Sequence, residues 1–199
     1  MKHLAIVTGG GTGLGRAIAV EIGQRGHPVM VVGRRAQPLQ ETAALLDDRC
    51  ETVVADVANP AGREQIVAAV GERRVAFLVH NAAVLTPVGP LARIGLEDWR
   101  QAMQINVEAP LFLTQALLPR LVGGRVLHIS SGAAHNALAG WGAYCVSKAA
   151  LYMLYQMLNA EHGDIAAGSV RPGVVDTPMQ ELIRAQSEDD FPAVERFRQ

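Results

Sequence analysis

Tyr144 and Lys148 stand four residues apart in GWGAYCVSKAAL (140–151), a spacing that puts both side chains on one face of a helix, one turn from each other. An ammonium beside a phenol favours the phenolate and lowers the tyrosine pKa toward neutrality, so the pair can exchange a proton with a reactant. Ser131, in HISSG (128–132), precedes Tyr144 by thirteen residues and can hydrogen-bond a carbonyl oxygen as negative charge develops on it. The three groups suit acid–base chemistry at a carbonyl. An ordinary amphipathic helix with a part-buried Tyr and a snorkelling Lys carries the same spacing, so the rest of the chain has to decide between the two.

A second set of residues suits a phosphate-bearing ligand. TGGGTGLGR (8–16) follows an apolar run and opens a helical one, with Gly9, Gly13 and Gly15 in the pattern TGxxxGxG rather than GxGxxG. Glycines there permit a tight turn and let the backbone approach a pyrophosphate, whose charge is favoured by a helix N-terminus. Further on, VVGRR (31–35) closes a second apolar run with Arg34 and Arg35, where a strand of a nucleotide-binding fold would be expected to carry an acid for the ribose hydroxyls.

These residues need a frame. Short β-rich runs recur at 3–7, 28–32, 51–55, 75–80, 125–130 and 166–170, and segments of helical periodicity lie between them at 13–25, 37–47, 60–72, 97–121 and 141–161. Strands apolar on both faces, alternating with amphipathic crossovers, predict a doubly wound α/β fold: a parallel sheet between two helical layers. The chain's 199 residues fit one such domain, 1–199, without an internal linker or repeat. In that fold ligands bind at the carboxyl ends of strands, where the glycine loop, the arginines and HISSG all fall.

The net charge of −1 argues against a nucleic-acid surface, which needs clustered positive charge. Cys50 and Cys145 suggest neither a disulfide framework nor a metal site. The N-terminal apolar stretch is too short for a secretory signal, and no run is long enough to span a bilayer, so a cytoplasmic location is expected.

Together the motifs resemble the short-chain dehydrogenase/reductase family in its single-domain form, a three-layer Rossmann fold. The resemblance runs along nearly the whole chain: TGGGTGLG, Asp56-Val57, HNAA (80–83), Asn106 in QINVEAP, Ser131, Tyr144-x-x-x-Lys148 and RPGVVDT (171–177). It implies a catalytic tetrad of Asn106, Ser131, Tyr144 and Lys148, with Asn106 holding a water that relays protons to Lys148. It also implies a dinucleotide held by Gly9, Thr12, Gly13, Leu14 and Gly15 at the pyrophosphate, and by Asp56 and Val57 at the adenine. Asn81, Ala82 and Ala83 would lie beside the ribose, and Pro172, Gly173, Val174 and Thr177 at the nicotinamide, with Tyr144 and Lys148 also touching the cofactor. In the resembled fold the end of the second strand faces the adenosine 2′ position, so Arg34, with Arg35 beside it, implies a 2′-phosphate and hence NADP(H).

The expected activity is therefore NADPH-dependent reduction of a carbonyl, with a non-catalytic NADP-binding protein as the alternative. GWGAYCVSKAAL and RPGVVDTPMQ are similar to the sepiapterin reductase and benzil reductase branch, which implies a vicinal diketone in an apolar pocket of Ser131, Ala133, Leu138, Trp141, Met179, Val174 and Leu182. His135 reads equally as a pocket or a loop residue, and the acidic run SEDD (187–190) as a solvated segment or the edge of a lid. The chain passes from RPGVVDT to VERFRQ without the further strand the family places there. Either a C-terminal tail follows this sequence, or the C-terminus is shortened and the sheet lacks its usual edge strand, with part of the pocket open or supplied by a partner. The family's habit implies a homodimer through the helices near 97–121 and 141–161, or a tetramer.

Overall fold

The computed structural model describes residues 3–198. Six parallel strands form one sheet in the order β3-β2-β1-β4-β5-β6. They are β1 (Leu4–Thr8), β2 (Val29–Gly33), β3 (Cys50–Val54), β4 (Val75–His80), β5 (Arg125–Ile129) and β6 (Ala166–Val170). Each lies within one residue of its sequence expectation, because a strand covered on both faces must be apolar throughout: LAIVT of β1 is buried at every position. CETVV of β3, at one margin of the sheet, is buried only at Val53.

Helices cover both faces. α1 (Gly13–Gln24) and α2 (Ala36–Ala43) pack Leu14, Ala19 and Leu39 on one side, against Ala5, Val7 and Val31. On the other side lie α3 (Pro60–Val70), α4 (Leu96–Met103), α5 (Ala109–Leu117) and α6 (Gly142–Glu161). Ile66, Leu113 and Leu117 of this layer bury Ile6, Leu78 and Val126. α7 (Pro178–Arg184) and the short α8 (Glu195–Arg198) complete the described chain, in which no helix is long and apolar enough to cross a membrane.

Two expectations about elements are refined. The helix expected at 97–121 is unbroken but changes pitch: α4 runs to Met103, a π-helical turn spans Gln104–Glu108, and α5 follows with Pro110 in its first turn. Proline cannot donate to the preceding turn, so the backbone widens there. The run 37–47 ends early as well, at Ala43, and Asp47–Arg49 forms a separate 3-10 turn.

The order of strands reverses between β1 and β4, after the crossover through α3. The connections leave β1 and β4 toward opposite faces of the sheet at such a point, and a crevice opens beyond the carboxyl ends of the two strands. Among the described residues β6 is the outermost strand, and Asn159 of α6 pairs with both backbone groups of Ala167 on its free edge.

Candidate active site

At the exit of β1 the chain turns through Gly9, with φ at +66°, and enters α1. Thr12 occupies the N-cap without making a side-chain capping bond, and the first turn holds no acidic residue. The leading N–H groups of α1 are thus left for an anion. Gly15 is fully buried, and a methyl group there would run into the Gly9 carbonyl oxygen and Asn81 Nδ2. Asn81 does not face the crevice; its amide donates to Thr8 O and Gly9 O at 3.0 and 3.2 Å, and so fixes the glycine turn from behind. Arg16 fastens the same loop from the other side, with Nη2 donating to Gly11 O at 2.6 Å and to Glu41 at 2.8 Å. No role for Arg16 follows from its sequence position, although it stands inside the glycine motif.

The crevice itself encloses about 220 Å³. Gly9, Thr12, Arg34, Arg35, Asp56, Val57, Ala82 and Ala83 line it, which are eight of the residues the resemblance assigns to a dinucleotide. Gly11, Pro38, Val84 and Ile105 line it too and were not anticipated. Arg34, just beyond β2, and Arg35, at the N-cap of α2, are both exposed. Thr177 packs its methyl group against Gly13. Gly173 and Val174 are exposed, Val174 at 71%, and with Pro172 they lie outside the crevice lining.

Beyond β5, Ser131 caps a 3-10 turn and its oxygen accepts from Ala133 N at 3.2 Å, while its hydroxyl proton is directed to Tyr144. Tyr144 and Lys148 are both buried on α6, and Lys148 Nζ lies 5.5 Å from the centre of the phenol ring. Nζ donates to Ile129 O at 2.8 Å, which ties α6 to the strand that carries Ser131. The three side chains singled out by spacing therefore meet at one place.

The electrostatics correct one expectation. Burial raises the Tyr144 pKa above the ordinary phenol value, only partly opposed by the Ser131 hydroxyl, so Lys148 does not draw it toward neutrality in this arrangement. Burial instead lowers Lys148, to about 8. Tyr144 is thus a protonated donor at neutral pH, and Lys148 an ammonium that burial makes readier to release its proton.

Asn106 is fastened through its whole side chain. Its amide donates to Val84 O and to Ser147 Oγ, each at 2.9 Å, and its oxygen accepts from Val84 N at 2.9 Å. With both amide protons used, a relay water would have to meet the residue at another atom. It positions the exit of β4 against α6, and Ser147 continues the chain to Tyr144 O at 2.8 Å.

Ala133, Leu138, Trp141 and Met179 gather with Tyr144 in one apolar cluster. The expected open outer wall is absent: Phe191, Val194 and Phe197 of the chain itself close it. Asp190 of the SEDD run is bonded to Arg93 and Ser187, each at 2.8 Å, rather than freely solvated. Leu182 is 38% exposed and stands apart from this cluster. His135 is exposed and turns its ring to Tyr152, 4.4 Å away, not to the pocket. Among the described residues no group of three or more His, Cys, Asp or Glu side chains could hold a metal ion.

The family described as short chain dehydrogenase matches residues 3–188. Benzil reductase ((S)-benzoin forming) of Bacillus subtilis (strain 168) is 33% identical over 206 residues, covering 98% of this chain and 84% of that protein. The crystal structure of a short chain dehydrogenase/reductase from Saccharomyces cerevisiae superposes with a TM-score of 0.92 at 32% identity, covering 98% of this chain and 81% of that one. A short chain dehydrogenase from Shigella flexneri 2a, complexed with NADP, superposes with a TM-score of 0.84 at 26% identity, over 95% of this chain and 84% of that one.

Proposed function

Since the chain belongs to the short-chain dehydrogenase family of oxidoreductases, we propose that it is an NADPH-dependent carbonyl reductase with Tyr144 as proton donor. The observation that carries this reading is the convergence of Ser131, Tyr144 and Lys148 beside a nucleotide-sized crevice.

The crevice fits a dinucleotide phosphate on three counts: an uncapped helix N-terminus, a glycine turn with no room for side chains, and two exposed guanidinium groups. Gly9, Thr12 and the first turn of α1 would hold the pyrophosphate, and Arg34 with Arg35 the 2′-phosphate. NADPH, when bound, supplies the hydride. The protein's own groups do the rest. Ser131 donates to the carbonyl oxygen and orients it, and the Tyr144 phenol gives that oxygen its proton as charge develops there. Lys148, held at Ile129 O, returns a proton to Tyr144. Asn106, through Val84 and Ser147, keeps β4 and α6 in register while this happens.

The substrate side is apolar, which suits a ketone with bulky apolar substituents, a vicinal diketone among them. The similarity to a benzil reductase supports the same class. Exposed Leu111 and Phe112 on α5, and Val146, Met153 and Met157 on α6, support a homodimer through these helices.

NADPH consumption with a panel of ketones, diketones and quinones tests the reading. Tyr144→Phe should lower kcat about 10²- to 10⁴-fold while NADPH still binds. Retention of most of the turnover would refute the assignment of Tyr144. NADPH binding without turnover of any carbonyl by the unaltered protein would select the non-catalytic alternative.

A further inference from the structure

We infer that Trp141 determines substrate specificity: its indole N–H donates to a second oxygen of the substrate, on the carbon next to the carbonyl being reduced. The inference rests on the carbonyl-reductase reading and adds to it a residue and a contact.

Trp141 stands one turn before Tyr144, and the two rings meet edge to face with their centres 5.7 Å apart. The indole is only 4% exposed, and its Nε1 has no hydrogen-bond partner. Buried donors almost always find an acceptor, because one left unpaired forfeits its bond to water and gains nothing. Of the side chains packed in this cluster, only Tyr144, Cys145 and Met179 carry an atom that could accept, and none of them is bonded to Nε1. An acceptor brought in beside Tyr144 would satisfy the donor.

The other side of the indole shows how such an atom would be shielded. Phe191, fully buried, stacks on it at 4.5 Å with the planes 18° apart, and Phe197 leans in at 5.4 Å. Both come from the segment that follows α7. That segment is fastened near Asp190 by the ion pair with Arg93, whose side chains are 61% and 37% exposed. An ion pair so exposed holds weakly. Gly140 makes room for the closed position, since any side chain there would strike the Asp190 carbonyl oxygen. Substrate entry requires the segment to part from Trp141 against the burial of Phe191 and Val194 and the bonds that Phe197 O accepts from Gln180 and Arg184, and with the segment closed the aromatic rings keep water from competing for Nε1. A ketone with one oxygen satisfies Ser131 and Tyr144 alone. A 1,2-diketone satisfies these and the indole as well.

The test compares 1-phenylpropane-1,2-dione with 1-phenylpropan-1-one, which share the ring and differ by the second oxygen. Trp141→Phe keeps a ring against Phe191 and removes the N–H. The dione-to-monoketone ratio of kcat/KM should fall about 2- to 10-fold, the effect of one neutral hydrogen bond. An unchanged ratio overturns the inference, whatever the absolute rates do.

A second measurement does not depend on that variant folding. Trp99→Phe leaves Trp141 as the sole indole of the chain's two. In the complex with NADP⁺, the dione should move its indole N–H resonance downfield and the monoketone should not. Equal movement with both ketones, or none with either, means that a water or nothing at all meets Nε1, and overturns the inference. Absence of any ketone turnover by the unaltered enzyme would count against the reductase reading, whereas turnover with an unchanged ratio counts against Trp141 alone.

Discussion

Arg34 projects into the crevice at the exit of β2, where the identity of one side chain can choose between two cofactors that differ by a phosphate. A charge-assisted hydrogen bond is worth about 1.5–3 kcal/mol, so Arg34→Ser should lower kcat/KM for NADPH about 10- to 100-fold and leave NADH almost unaffected. Steady-state kinetics with both cofactors checks this, and equal efficiency of the unaltered enzyme with the two would refute the assignment. At this scale much was legible beforehand. Ser131, Tyr144 and Lys148 announce themselves by type and spacing, since a helix repeats every 3.6 residues whatever surrounds it. What their titration would do was not legible: burial raises Tyr144 and lowers Lys148, and burial is a property of the folded chain.

The elements position those residues through a few tight contacts that sequence pattern does not disclose. Gly15 is the clearest case, because the Gly9 carbonyl and the Asn81 amide occupy the volume of its missing side chain. Gly15→Ala has to push backbone apart, and should cost about 1–3 kcal/mol in chemical denaturation together with a loss of NADPH binding by fluorescence titration. Gly163→Ala, where nothing lies within 4 Å of the added carbon, is the matching control and should change neither. The π turn at Gln104–Glu108 makes the same point in another way. Periodicity reads 97–121 as one helix. The widened turn becomes visible only once Asn106 is seen bridging Val84 and Ser147.

The molecule as a whole carries a pH liability in its sheet. His80 of β4 and His128 of β5 are register partners on the face beneath α5 and α6, with their rings 5.2 Å apart. His80 bonds Thr114 at 2.8 Å, and His128 Nδ1 donates to Leu151 O at 3.2 Å. Burial, with the nearby Lys148 charge adding to it, lowers His128 to about 4, and burial with His128 alongside lowers His80 well below the ordinary imidazole value. The unfolded chain therefore takes up these protons first. Stability is present above about pH 6.5 and is lost as pH falls toward about 4. The fall from the ordinary 6.5 to about 4, at about 1.4 kcal/mol for each tenfold change in proton affinity, makes the His128 share about 3.5 kcal/mol. Urea midpoints should fall accordingly between pH 7 and pH 4.5, and less steeply in His128→Asn. Parallel profiles for the two proteins would refute this account.

The linear order of residues was enough to determine the doubly wound sheet, the crevice at its strand ends, and the Ser131, Tyr144 and Lys148 constellation. Each depends on periodicity or on local turn chemistry, which neighbouring residues set by themselves. Only the tertiary structure decided that Asn81 and Asn106 act by holding backbone, and that Arg16 braces the glycine loop. Only there, too, does Phe191 come to lie on Trp141, fifty residues away in the chain. Contacts of that kind depend on which elements meet and on how much water they exclude, and no single stretch of sequence holds either piece of information.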